Sequence, residues 1–108
     1  MKKTNLFTLP SPLPPEERFE PLIPDRGVRI ERIVSAGQTT PEGMWYDQDR
    51  DEWVALLQGE ATITYEDGLS TDLRPGDCLL IPAHVRHRVT HTSADPPCIW
   101  LAVHATML

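Results

Sequence analysis

Short apolar runs alternate with turn signals along the chain from Gly27 onward. The runs are rich in Val, Ile, Leu, Thr and Trp, and none repeats its apolar positions at the helical spacing of about 3.6 residues over three turns. Glycine, proline and aspartate separate them in "AGQTTPEG", "RPGD" and "SADPP", and "ATITYEDGLSTDL" is the clearest hairpin. Many short strands at this spacing are typical of an all-β sandwich or barrel. The sequence therefore predicts an all-β domain.

One predicted strand, "EWVALLQ", is apolar on both of its faces. If Glu52 points inward, strand alternation also points Val54 inward and turns Trp53 outward. An apolar outer face must be covered by a second sheet, by the N-terminal segment or by another subunit. A homodimer is the natural candidate.

The N-terminal segment 1–26 is too rich in proline to form a helix interior or a central strand. Each proline removes a backbone donor and fixes its own φ, so this segment is predicted to be an extended arm that packs on the folded body. A chain of 108 residues is long enough to bury one modest core. We therefore expect a single domain, with the arm at 1–26 and a barrel at 27–108.

Charge and composition exclude several classes of partner. The net charge is −6, and the arginines do not gather into a stripe that could follow a phosphate backbone, so nucleic acid is not expected to bind. No apolar run reaches the roughly 18 residues of a membrane span, and the N-terminus reaches prolines before a signal-peptide core could form. We expect a soluble, cytoplasmic protein whose two cysteines, Cys78 and Cys98, are reduced residues of the core.

Several well-known catalytic motifs are absent. The sequence contains no Gly-x-Ser-x-Gly elbow, no phosphate-binding glycine loop and no Cys-x-x-Cys pair. Nucleophilic hydrolases, nucleotide enzymes and structural zinc are therefore not indicated. The lumen of the predicted barrel is the expected site.

Two segments share a characteristic spacing, "GMWYDQDRDEWVALLQGEA" at 43–61 and "RPGDCLLIPAHVRHRVTHT" at 74–92. They resemble the motifs of the cupin family. The first family motif is Gly, five residues, His-x-His, three or four residues, Glu, six residues, Gly; the second is Gly, five residues, Pro-x-Gly, two residues, His, three residues, Asn. The matched positions are Glu52, Gly59, Gly76, Pro82 and His87.

The departures from these motifs fall on the residues that would carry chemistry. Tyr46 and Gln48 stand where the family has its two motif histidines, His84 stands for the glycine of Pro-x-Gly, and His91 stands for the asparagine. Replacing two imidazoles by a phenol and an amide should weaken affinity for a divalent metal. We expect His84 to lie at the rim, and His104 to be a wall residue or to orient a ligand from behind.

The resemblance implies a jelly-roll barrel, often dimeric, with a site inside its mouth. Strand alternation would direct residues 46, 48 and 52 into one lumen, together with residues 87 and 91 from a neighbouring strand. Gln48, Glu52 and His87 are the predicted ligands of a divalent Fe, Mn or Zn ion that is open to a small oxygen-rich ligand. Tyr46 and His91 are the predicted proton donors or acceptors, in a family that includes dioxygenases, isomerases and epimerases.

Two alternatives remain open at this point. The barrel is a non-catalytic binding or sensing module with a weakened or absent metal site, as the missing His-x-His suggests. In the second alternative, the lumen is filled by side chains, Tyr46 and Gln48 are bonded to each other, and function lies on an outer surface.

Overall fold

The computed structural model describes residues 1–108, which form eight strands in two antiparallel sheets and no α-helix. The prediction of an all-β fold is confirmed. The strands are β1 (Arg18–Pro21), β2 (Arg29–Ser35), β3 (Asp51–Gln58), β4 (Ala61–Tyr65), β5 (Ser70–Leu73), β6 (Cys78–Ile81), β7 (His87–Thr92) and β8 (Cys98–Ala105). One sheet has the order β1-β2-β8-β3-β6 and the other β5-β4-β7. No segment forms a helix long and apolar enough to cross a bilayer.

The N-terminal segment, predicted to be an extended arm, contains one short strand. β1 pairs antiparallel with β2 at the edge of the five-stranded sheet, a position where a proline such as Pro21 costs no ladder hydrogen bond. Upstream of β1, the Arg32 side chain donates to the carbonyls of Leu6 and Thr8 at 2.9 and 2.5 Å. The same guanidinium pairs with Glu20 at 2.7 Å. These contacts hold the segment against the outer side of β2.

The core lies between the two sheets. Its buried members come from the inward positions of both sheets: Val54, Leu56, Ala61, Ile63, Leu73, Ile81, Cys98, Trp100 and Ala102. Cys98 is buried as predicted, but Cys78 is exposed and not part of the core. In the short strand β6, Ile81 is buried and faces inward, so alternation turns Cys78 and Leu80 outward.

Asp51 anchors the start of β3 beside Glu52. Its buried carboxylate accepts hydrogen bonds from the backbone N–H groups of Met107 at 2.7 Å, Ala83 at 2.8 Å and Leu108 at 2.9 Å. These three bonds hold the pKa of Asp51 below its usual range. They tie the C-terminus and the loop before β7 to β3, and so fix the end of the strand that carries Glu52.

Candidate functional site

A cavity of about 270 Å³ opens between the two sheets and is lined by fifteen residues. This volume is just under the roughly 300–1,000 Å³ of typical ligand pockets, so it suits a small molecule. Most of its wall is aliphatic or aromatic. The polar groups that reach it belong to Glu17, Arg29, Glu31, Tyr46, Gln48, Glu52, His87 and His104. Four of the five predicted site residues therefore line one cavity.

A backbone bridge joins the two motif segments. The Tyr46 N–H donates to the His87 carbonyl at 2.7 Å, and the His87 N–H donates to the Tyr46 carbonyl at 3.1 Å. Their rings stack, with centroids 5.5 Å apart and planes at 28°. Burial, with the nearby charges of Glu17 and Glu52, raises the pKa of Tyr46, so its hydroxyl keeps its proton at neutral pH.

Gln48 has an unsatisfied buried atom. Its backbone carbonyl accepts a hydrogen bond from the His84 N–H at 2.8 Å, but its side-chain oxygen Oε1 is buried without any hydrogen-bond partner. Leaving such a group unpaired costs about 1–3 kcal/mol. The alternative in which Tyr46 and Gln48 bond to each other in a filled lumen is wrong. The amide oxygen is free to accept from, or coordinate, a bound group.

Glu52 lies between two imidazoles. One carboxylate oxygen is 3.6 Å from His87 Nε2 and the other is 3.7 Å from His104 Nε2. Glu52 and His104 are direct cross-strand neighbours in the β3–β8 ladder. The three side chains are 9%, 6% and 3% exposed, so their charges interact with little screening by water.

The tautomer of His87 is set by the backbone. Its Nδ1 lies 2.8 Å from the Val85 carbonyl, an arrangement in which Nδ1–H donates and Nε2 faces the lumen. Burial alone would lower the pKa of His87, but the Glu52 carboxylate and the Val85 carbonyl outweigh it and raise that pKa. His87 is thus oriented as metal-binding histidines usually are, with the other ring nitrogen held from behind.

Glu31 was not singled out by the sequence, and His104 was expected only to form the wall or to orient a ligand. Both are buried, and His104 Nε2 lies 3.1 Å from Glu31 Oε1. The available signal was the alternation of "VRIERIV", which places a glutamate between Arg29 and Ile33 on one strand face. A carboxylate at an inward position of a strand is the kind of residue that needs a partner.

The prediction that His91 points into the lumen is wrong. Its side chain is exposed on the outer surface and does not line the cavity. The β4–β7 ladder pairs Thr62 with His91 but Ile63 with Val89, so an extra residue, Thr90, forms a bulge. Alternation from His87 breaks at this bulge, and Thr90 and His91 both face solvent. The geometry gives His91 no access to a ligand in the cavity.

His84 lies at the rim, as predicted. Its backbone conformation shows why the family motif has a glycine at this position. His84 is exposed and has a φ of +64°, in the left-handed region that glycine adopts most easily. Its Nδ1 lies 2.8 Å from Asp47 Oδ1, and this contact fixes the side chain outside the lumen.

As the side chains stand, no three His, Cys, Asp or Glu residues converge on a point that could hold a metal ion. The two oxygens of Glu52 are turned toward different imidazoles, which separates the nearest donors. Any ion would therefore require rotation of side chains, and the terminal torsion of glutamate is broad enough to allow it.

Comparison with known proteins places these features in context. A family model described as a cupin domain matches residues 32–104. A solved structure from Ralstonia eutropha JMP134, provisionally assigned as a mannose-6-phosphate isomerase, is 46% identical, with a TM-score of 0.91 over 99% of this chain and 100% of that one. A cupin superfamily protein from Desulfitobacterium hafniense DCB-2 is 22% identical and shares the fold, with a TM-score of 0.72 over 96% of this chain and 100% of that one.

One curated relative matches a shorter stretch. The RCS-specific HTH-type transcriptional activator RclR of Escherichia coli (strain K12) is 38% identical over 47 residues. The match covers 44% of this chain but only 16% of the activator. This chain thus spans a small part of the length of that relative.

Proposed function

This chain belongs to the cupin family, and from that premise we propose that its lumen binds a divalent metal ion through Gln48, Glu52 and His87 and a small oxygen-rich ligand beside it. The observation that carries the proposal is the buried, unpartnered Oε1 of Gln48. Carboxylate, imidazole and amide oxygen donors together suit Fe, Mn or Zn. When bound, such an ion polarises a ligand oxygen as a Lewis acid.

The protein's own groups would then orient the ligand and move its protons. Tyr46, stacked on His87, lines the cavity, and burial raises its pKa further above neutrality, which favours the protonated hydroxyl. It is the proposed proton donor in place of the outward-facing His91. The aliphatic and aromatic wall around them, which includes Val54 and Trp100, keeps bulk water away from the polar groups.

The charge of the cavity narrows the class of ligand. Glu17, Glu31 and Glu52 face a single guanidinium, that of Arg29. With a divalent ion bound, the ion and Arg29 balance the three carboxylates, so the lining has no surplus positive charge to hold a doubly charged phosphate ester. We therefore propose a neutral or singly charged ligand with several oxygens, and do not extend the sugar-phosphate assignment of the Ralstonia relative to this chain.

Calorimetry on metal-loaded protein tests the ligand class with a matched pair of sugars. We expect mannose 6-phosphate to bind more weakly than mannose, because the two differ only by a phosphate for which the lining has no surplus positive charge. Tighter binding of mannose 6-phosphate, or its isomerisation by the protein, would show that the charge argument is wrong.

Metal content tests the proposed site directly. Untagged protein purified without chelators should carry about one divalent ion per chain, and Glu52→Gln or His87→Ala should lose it. Removing even an outer partner of a metal ligand costs about 10–100-fold in affinity, and removing a ligand should cost at least as much. His91→Ala is the control, because it removes an exposed imidazole outside the cavity. Equal metal content in the wild type and in both site variants would refute the proposal.

A second candidate function is a ligand-binding or sensing module without a tightly bound metal. It is favoured by the absent His-x-His and by the match to part of a transcriptional activator. Wild-type protein that holds no metal, yet still binds small molecules in the cavity, would support this candidate.

The quaternary structure is a further part of the proposal. The outer face of the five-stranded sheet carries a cross-strand row in which Ile30 pairs with Val103, Val103 with Trp53, and Trp53 with Leu80. The N-terminal segment covers this sheet at β2 through Arg32 and leaves the row at least partly exposed. We propose that a second copy of the chain covers the row.

A further inference from the structure

Two buried carboxylates share one imidazole in the lumen. His104 Nε2 is 3.1 Å from Glu31 Oε1 and 3.7 Å from Glu52 Oε2, and all three side chains are at least nine-tenths buried. A ring nitrogen carries at most one proton, so it can donate to only one of the two carboxylates. Glu31 is within hydrogen-bonding distance, whereas Glu52 is beyond it.

The wall of the lumen carries three carboxylates, those of Glu17, Glu31 and Glu52, against two imidazoles and one guanidinium. The guanidinium that lines the lumen is that of Arg29, whose side chain is 41% exposed. Its Nε lies 3.9 Å from a Glu31 oxygen and is buried without a hydrogen-bond partner. Burying two carboxylates around one shared imidazole is costly, and a bound cation lowers that cost. Two carboxylates would neutralise one divalent ion, whereas Glu52 alone would leave the ion half compensated and Glu31 in excess.

The separations also fit the geometry of a coordinated ion. Donors bound at about 2.0–2.2 Å lie roughly 2.8–3.6 Å apart when they are neighbours in an octahedral or tetrahedral shell. The nitrogen–oxygen separations here are 3.1 Å, 3.6 Å and 3.7 Å. They lie within or just beyond that range, but the two imidazoles face different oxygens of Glu52, so side chains must rotate before the donors can meet on one ion.

We propose that His104 and Glu31 are metal ligands that replace the two motif histidines lost at Tyr46 and Gln48. The replacements come from β8 and β2, on the opposite side of Glu52 from His87. The inference rests on the proposed metal function and completes its donor set. With Gln48, Glu52 and His87, the five donors leave one position of a six-coordinate ion open to a ligand.

A cobalt titration of metal-free protein tests the assignment, because the visible absorption bands of Co²⁺ report its coordination. Wild-type protein should bind one Co²⁺ with a defined spectrum. His104→Ala and Glu31→Gln should each weaken binding by at least about tenfold and change the bands. His91→Ala, the exposed control, should reproduce the wild-type spectrum and affinity.

The thermal stability of the metal-free variants separates a ligand from a structural ion pair. If Glu31 carries uncompensated charge, Glu31→Gln should leave the metal-free melting temperature unchanged or raise it while cobalt affinity falls. If Glu31 serves only as a partner of His104, the substitution should lower the melting temperature and spare the spectrum. The second result would overturn the inference.

Failure of the inference is distinguishable from failure of the metal function. Wild-type protein that binds no Co²⁺ refutes both. Cobalt binding that is lost in Glu52→Gln and His87→Ala but unchanged in His104→Ala and Glu31→Gln refutes only the ligand assignment made here. The metal would then be held by the motif positions alone.

Discussion

Saturating Mn²⁺ should raise the midpoint of thermal unfolding of the wild-type protein by on the order of 10 °C, and a chelator should reverse the rise. An ion that binds only the folded chain stabilises it by about 2.7 kcal/mol at a concentration of 100 Kd, and one kcal/mol shifts the melting temperature of a domain of this size by about 4–8 °C. Glu52→Gln removes the carboxylate that lies between the two imidazoles, so most of the rise should disappear. Differential scanning calorimetry with and without Mn²⁺ measures both effects.

The rise in melting temperature caused by Mn²⁺ should depend on pH, and the raised pKa of His87 sets the direction of that dependence. Because the pKa of His87 is raised, its Nε2 holds a proton to a higher pH than an ordinary imidazole, and a metal must displace that proton. The Mn²⁺-dependent stabilisation should therefore be complete above this pKa and decline as the pH falls through it. A shift of equal size in Glu52→Gln, or one that grows as the pH falls, would count against the site.

Much of the fold and part of the site could be predicted from local patterns. Alternation and turn residues gave the all-β class, and the motif spacing predicted the cupin barrel to which the chain belongs. Motif spacing also brought Tyr46, Gln48, Glu52 and His87 to one cavity. Each of these inferences needs only residues close together in sequence and a known pairing of two segments.

What the sequence did not reveal depends on long-range pairing. The outward turn of His91 follows from a bulge between β4 and β7, and a bulge depends on the partner strand as much as on its own residues. Glu31 and His104 meet across a ladder between segments more than 70 residues apart, which no local pattern specifies. The strand in the N-terminal segment is likewise created by its pairing with β2.

Light scattering during size-exclusion chromatography should find the wild-type protein at twice the 12.2 kDa mass of one chain. Leu80→Glu should reduce the mass to that of a single chain. Leu80 ends the row that continues through Trp53 and Val103, and it is 45% exposed. In a twofold dimer each substitution occurs in both copies, so two carboxylates would be buried in the apolar interface without partners.

Leu69→Glu is the matched control for this dissociation. Leu69 is a 68% exposed leucine in the turn between β4 and β5, away from the five-stranded sheet, so its substitution should leave the dimer intact. A stable interface needs roughly 1,000 Å² of buried surface, which an isolated turn residue cannot supply. A wild-type monomer, or dissociation by Leu69→Glu instead of Leu80→Glu, would locate the contact elsewhere. Circular dichroism of each variant checks that the fold is intact when the dimer is lost. We expect it to be intact, because the core between the sheets, which includes Leu56 and Trp100, does not depend on the outer face.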